Sequence, residues 1–166
     1  MTRPFTHDDL LRLTYDTSFL FPAGDWTDIR AHLLTIYNCA RHINSSLCGP
    51  QQTGDRPPNC LEIGVRQGPS TLAILLAMRE TNGKLTSLDI DPVETAVAQG
   101  LVAEAGLGGC WDFRLQHSDT YQCTDALDLL WIDGDHRPPQ PVRDFEHFAP
   151  HARKDGLILM QDAFLE

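Results

Sequence analysis

The sequence contains no basic cluster, no Cys-x-x-Cys pair, no long apolar run and no internal repeat, and each absence removes a class of function. Lys and Arg number 13 against 23 Asp and Glu, for a formal net charge of −10. Phosphate backbones are gripped by clustered cations, so nucleic acid is not expected as a partner. The longest apolar stretch, Leu72 to Met78, falls far short of a bilayer span, and the opening MTRPFTHDDL holds no apolar core of signal-peptide length. No membrane association is expected, and the expected compartment is the cytoplasm. The five cysteines, Cys39, Cys48, Cys60, Cys110 and Cys123, are odd in number and unpaired in spacing, which reads as mostly structural thiols in a reducing environment.

What is present is a chain of 166 residues, 42% hydrophobic, long enough for one globular domain with a real core. Residues 1–59 read as a helical N-terminal segment and linker. Within it Ile29, Leu33, Ile36, Tyr37, Ala40 and Ile43 recur at helical spacing behind Thr27 as a cap, and this apolar face requires a docking partner. The stretch NSSLCGPQQTGDRPPN that follows is rich in Gly, Pro and polar residues and reads as a surface linker or a lid.

From Cys60 to the end, residues 60–166, strands and helices alternate, the pattern of a doubly wound, mostly parallel α/β sheet covered on both faces. CLEIGV, KLTSLDI, DFRLQH, ALDLLWID and GLILMQD are the five expected strands. The first helix runs from about Ser70 to the Asn82-Gly83 stop. The second is announced by Asp91 as N-cap, Pro92 at the first helical position and Glu94 behind it, with Val93, Val97, Leu101 and Ala105 as its inward stripe and Gly106 as its end. A short helix is expected over Val142 to Phe148. The chain stops four residues after Asp162, which would leave the fifth strand as an uncovered edge; it therefore reads as truncated after that strand, and a homodimer would supply cover.

The first strand opens into Glu62-x-Gly64-x-x-x-Gly68-x-Ser70, and Asp89 closes the second strand 21 residues beyond Gly68. A sharp strand-to-helix turn followed by a carboxylate at the end of the next strand is what a nucleoside site needs, the carboxylate serving the ribose hydroxyls. The glycine spacing is not the Gly-x-Gly-x-x-Gly of dinucleotide folds, which disfavours NAD and a dehydrogenase.

Glu62-x-Gly64-x-x-x-Gly68 resembles the first motif of the class I S-adenosylmethionine-dependent methyltransferases, and LTSLDIDP resembles their second. DLLWIDGDH, with GLILMQDA after it, is similar to the fourth and fifth strand ends of the small-molecule O-methyltransferases, the catechol-type and macrolide-sugar-type enzymes. The resemblance covers about residues 60–163 and implies a Rossmann-like sheet of order 3-2-1-4-5. It implies S-adenosylmethionine as cofactor, a small-molecule acceptor and transfer of a methyl group to a hydroxyl. Asp89 then takes the ribose, Ser118 and Asp119 of HSDT the adenine edge, and Ser70 the carboxylate of the amino-acid tail. Glu62, an unusual buried acid, would meet the ammonium group of that tail.

By the same resemblance Asp133 and Asp162 would share a Mg²⁺ ion that polarises the acceptor oxygen, and His136 stands where catechol-type relatives carry a catalytic lysine, as general base. The sequence departs from the family beside Asp162, where Gln161 and Ala163 replace the usual third ligand. Asp135 is the loop residue available to complete the set. The alternative reading is a non-catalytic or incomplete protein of the same fold, which would bind cofactor without turnover. Trp111 and Trp131 read as core aromatics, and the remaining histidines as surface or packing residues.

Overall fold

The computed structural model describes residues 3–16, 27–43 and 56–162. Five strands form one parallel sheet of order β3-β2-β1-β4-β5. These are β1 (Asn59–Ile63), β2 (Lys84–Asp89), β3 (Trp111–Leu115), β4 (Leu127–Ile132) and β5 (Ala152–Met160). The central strands read as continuous apolar runs because both faces are covered; all six residues of β4 are buried. The helices are α1 (His7–Tyr15), α2 (Thr27–Arg30), α3 (Leu33–His42), α4 (Pro69–Thr81), α5 (Pro92–Ala105) and α6 (Gln140–Phe148).

Helix α4 is the centre of the molecule. Its residues Pro69 to Met78 are all buried, with no polar face, because the sheet lies on one side and the N-terminal helices lie on the other. The helical face anticipated in the N-terminal segment docks here: Ile29, Leu33, Ile36, Tyr37, Ala40 and Ile43 are buried in the same cluster as Leu72, Leu75, Leu76 and Met78. Each fully buried leucine contributes on the order of 1.5–3 kcal/mol relative to an exposed one. Polar ties hold the edges of this contact. Tyr37 donates to Glu80 at 2.7 Å, Arg41 pairs with Glu80 at 2.9 Å, and the Phe5 amide donates to the Ala105 carbonyl at 3.1 Å.

Several local expectations needed correction. The face is carried by two helices rather than one, with a turn at Ala31 and His32 between α2 and α3. The Thr27 side chain and residues 44–55 of the linker lie outside the described residues. A further helix, α1, begins at a reciprocal cap in which Thr6 and Asp9 bond each other's backbone amides. On α5 the inward residues are Thr95, Ala98, Val102 and Ala105, whereas Val93 and Val97 are exposed. The valines lost that place to small residues because α5 packs closely on the turn after β1: a side chain on Gly68 would meet the Ala98 Cβ at 2.8 Å. The Asp91 cap stands, accepting from the amides of Val93 and Glu94, and Gly106 ends the helix in the left-handed region. Helix α6 starts two residues earlier than expected, and β5 starts four residues earlier, entering through a register shift opposite β4.

At the opposite end of the sheet Asp128, 2% exposed, accepts from Arg56 and from the Asn59 amide, with Arg153 at 3.4 Å. This clamp ties the entry to β1 to β4 and leaves the carboxyl edge as the end where chemistry-bearing residues gather.

Candidate active site

The register brings three of the expected residues together. Ile63 lies beside Leu88 on one side and Ile132 on the other, so Gly64, Asp89 and Asp133 follow side by side at the carboxyl edge of three adjacent strands. A cleft opens there, walled by Gly64, Asp89, Ser118 and Asp133. This is the crevice where open parallel sheets receive ligands.

Both glycines of the turn have left-handed φ, 89° at Gly64 and 90° at Gly68. The reason is packing rather than ligand approach. A Cβ on Gly64 would stand 2.1 Å from the Asp133 carbonyl oxygen, so the turn after β1 and the loop after β4 touch backbone to backbone. Asp89 then stitches the turn to β2: one carboxylate oxygen accepts from the amides of Val65 and Arg66 at 2.7 and 2.9 Å, and the other accepts from the Asp91 amide at 2.8 Å. Charged acceptors of this kind, held by fixed amides, keep both the loop and the carboxylate in place.

Glu62 and Ser70 sit behind this wall and do not line the cleft among the described residues. Glu62 is fully buried, and three hydroxyls satisfy it: Ser70 donates at 2.7 Å, Thr71 at 2.8 Å and Ser87 at 2.7 Å. Trp111 Nε1 donates in turn to Ser87. Burial pushes the Glu62 carboxyl up to about 7, against the opposing pull of the three hydroxyls. Glu62 and Ser70, expected at the ammonium and carboxylate of the ligand's tail, are joined here in an internal network that anchors the first turn of α4.

On the far wall, Ser118 donates to the buried Asp144 at 2.6 Å, and Gln140 Nε2 reaches Asp144 at 2.9 Å and Asp119 at 3.1 Å. Gln140 and Asp144 thus join the turn after β3 to α6. Reading the sequence alone missed them, together with Ile90, which is 64% exposed at the cleft, and His117, whose Nδ1 accepts from the Asp119 amide. An isoleucine placed directly after a strand-ending acid, with nothing to bury it, was the signal available for Ile90.

His136 occupies the space between the two candidate metal ligands. Its Nε2 lies 3.4 Å from Asp133 and its Nδ1 lies 3.7 Å from Asp162. Asp135, the expected third oxygen donor, is tied to Arg137 by its guanidinium and its backbone amide, which holds the Asp135 carboxyl well below the usual range. Gln161 turns its amide nitrogen, not its oxygen, toward Asp162 at 3.4 Å. Among the described residues no group of three His, Cys, Asp or Glu side chains is placed to hold a metal. Mg²⁺ can be held by one or two carboxylates and its own waters, but those carboxylates must face one point, and here the His136 ring stands between them. The Mg²⁺ expectation for Asp133 and Asp162 is corrected accordingly: a histidine ring separates the two carboxylates that would have to converge.

A doubly wound parallel sheet with a strand-end carboxylate beside a glycine turn is the architecture of the open α/β folds that receive ligands at their carboxyl edge. The chain belongs to the methyltransferase domain family, which it matches over residues 61–163. It is 35% identical over 79 residues to the "Putative O-methyltransferase" of Mycobacterium sp. (strain JLS), covering 45% of this chain and 36% of that one. The chain therefore spans about a third of the length of the curated relatives it matches. Among solved structures it resembles the O-methyltransferase TomG of Streptomyces achromogenes, crystallised with SAM, at a TM-score of 0.66 and 16% identity over 96% of this chain and 67% of that one. The SAH-bound methyltransferase PaMTH1 of Podospora anserina gives a TM-score of 0.56 at 16% identity, over 99% and 74%. These likenesses establish the Rossmann-like methyltransferase fold. No helix among the described residues is long and apolar enough to cross a membrane.

Proposed function

We propose that this chain binds S-adenosylmethionine in the cleft at the ends of β1, β2 and β4 and transfers its methyl group to a hydroxyl oxygen of a small molecule. The observation that carries the reading is a single cleft with Asp89 at one end and Asp133, beside His136, at the other. Asp89 takes the ribose hydroxyls through the lone pairs its three amide bonds leave open. Ser118, Asp119 and the exposed Ile90 receive the adenine. Gly64 and the turn to Gly68, anchored by Glu62 and Ser70, leave room for the amino-acid tail.

In the transfer the acceptor oxygen attacks the methyl carbon, the carbon–sulfur bond breaks with its electron pair going to sulfur, and the sulfonium becomes the neutral thioether of S-adenosylhomocysteine. The hydroxyl proton passes to His136, whose ring is held between Asp133 and Asp162. In-line alignment of oxygen, carbon and sulfur is the larger share of the work. The relatives named as O-methyltransferases support the choice of oxygen. A reducing, cytoplasmic setting fits the thiols Cys60, Cys110 and Cys123 among the described residues, and sedimentation would test for a homodimer.

Calorimetric titration with S-adenosylhomocysteine tests the cofactor half, micromolar binding being the expected result; binding of NADH in its place would overturn it. His136→Asn should lower kcat by about 10²–10³-fold while leaving S-adenosylhomocysteine affinity unchanged. Cofactor binding with no turnover in the wild-type chain would instead favour the non-catalytic alternative.

A further inference from the structure

Strand β3 stands at the end of the sheet opposite β5, and among the described residues β2 is its one strand neighbour. Its sequence, Trp111-Asp112-Phe113-Arg114-Leu115, pairs residue for residue with Leu85 to Asp89, and it carries no proline or register shift that would spoil its other edge. The Gln116 amide donates to the Asp89 carbonyl at 2.8 Å, so residue 116 turns its backbone groups toward β2. By alternation Arg114 and Asp112 do the same, and the N–H and C=O groups of Trp111, Phe113 and Leu115 point outward.

The side chains along this edge are their own complement. Laid antiparallel against a second copy with Phe113 facing Phe113, the strand sets Asp112 opposite Arg114 and Arg114 opposite Asp112. The backbone agrees with that centring. Phe113 then forms a hydrogen-bonded pair with its counterpart, and Trp111 does so with Leu115, while the charged residues fall at the non-hydrogen-bonded positions, where opposing side chains come closest. On the other face Trp111 and Phe113, with ring centroids 5.4 Å apart, line up with Leu115, which is 54% exposed and would be covered by the Trp111 of the second copy. Within one chain Arg114 pairs with Asp112 at 2.7 Å, both half-exposed, and a pair in water changes partner at little cost. Charges on an edge strand ordinarily discourage pairing. Here their opposite signs, placed symmetrically about Phe113, admit this chain itself.

We propose that two copies of this chain join through β3, antiparallel about a two-fold axis at Phe113, into one continuous sheet. The same patch serves on both copies, so the assembly closes as a dimer. The proposal does not draw on the methyl-transfer reading and is tested apart from it.

Sedimentation of the full chain at micromolar concentration should show a dimer. Arg114→Asp and Asp112→Arg each set like charges opposite one another at both charged positions, and each should weaken the dimer by about tenfold or more. Mixing the two single variants should restore a dimer of wild-type strength, one copy of each, because an all-acidic edge then meets an all-basic one. The double variant Asp112→Arg with Arg114→Asp should dimerise like wild type, since exchanging the signs preserves the complement. Loss of the pair within one strand would not be repaired by mixing, which separates an interface role from a local one. Melting followed by circular dichroism should show every variant folded, as both side chains reach solvent. A monomeric wild type, a dimer indifferent to the single substitutions, or failure of both the mixture and the double variant to restore association overturns the assignment.

Discussion

The turn after β1 and the loop after β4 meet at one point yet are built by opposite means. The β1 turn is held from beneath by a fully buried acid with three hydroxyl partners and from the side by Asp89, and its glycines pack against backbone and Ala98. The β4 loop is held by exposed side chains: Asp135 with Arg137, and a half-exposed His136 between two aspartates. On the proposed reading the cofactor would need a fixed cradle for one invariant ligand. The acceptor, on the same reading, would meet a loop whose polar contacts lie in water, where they cost little to rearrange.

This contrast can be broken most severely at Gly64. Gly64→Ala should destabilise the fold by about 3 kcal/mol, because it adds a left-handed penalty to a clash with the Asp133 carbonyl, and denaturant unfolding measures it. Glu62→Gln tests the buried support through pH. The folded carboxyl, near 7, lies above its unfolded value, so the native state binds more protons and wild-type stability should fall as pH rises from about 4.5 to 7. The fall is on the order of 3 kcal/mol if the whole shift is realised; Glu62→Gln should flatten it, and unfolding midpoints at pH 5 and pH 8 give the comparison.

A smaller effect is expected at Asp89, where Asp89→Ala should weaken S-adenosylhomocysteine binding by roughly thirtyfold, about 2 kcal/mol, in calorimetry. Unchanged affinity would reject the ribose assignment. Arg137→Ala should leave the melting temperature unmoved, since its pair with Asp135 lies at the surface. A clear drop there would show that the β4 loop is as firmly built as the β1 turn, and the comparison would fail.

The fold was legible because alternation and turn chemistry agree: Asn82 and Gly106 do stop their helices, and Asp91 does cap α5. The inward face of α5 was misjudged because apolarity favours valine, whereas the close approach to Gly68 selects alanine. At the site, strand ends located Asp89, Asp133 and Asp162, since register places such positions together. What spacing could not reveal was the direction of side chains within a loop. The sequence places His136 three residues after Asp133, but only folding shows the ring lying between two carboxylates that resemblance had assigned to a metal. Gln140 and Asp144 were invisible for a related reason: their partner Ser118 lies more than twenty residues away.

The contact between Gly64 and the Asp133 carbonyl also limits how such a protein can be re-engineered. A library that varies the β1 turn to change cofactor preference would push on the backbone that presents Asp133 and, three residues later, His136. Substitutions in the two segments should therefore be epistatic, and variants selected for a new cofactor are expected to need compensating changes after β4 before they recover turnover.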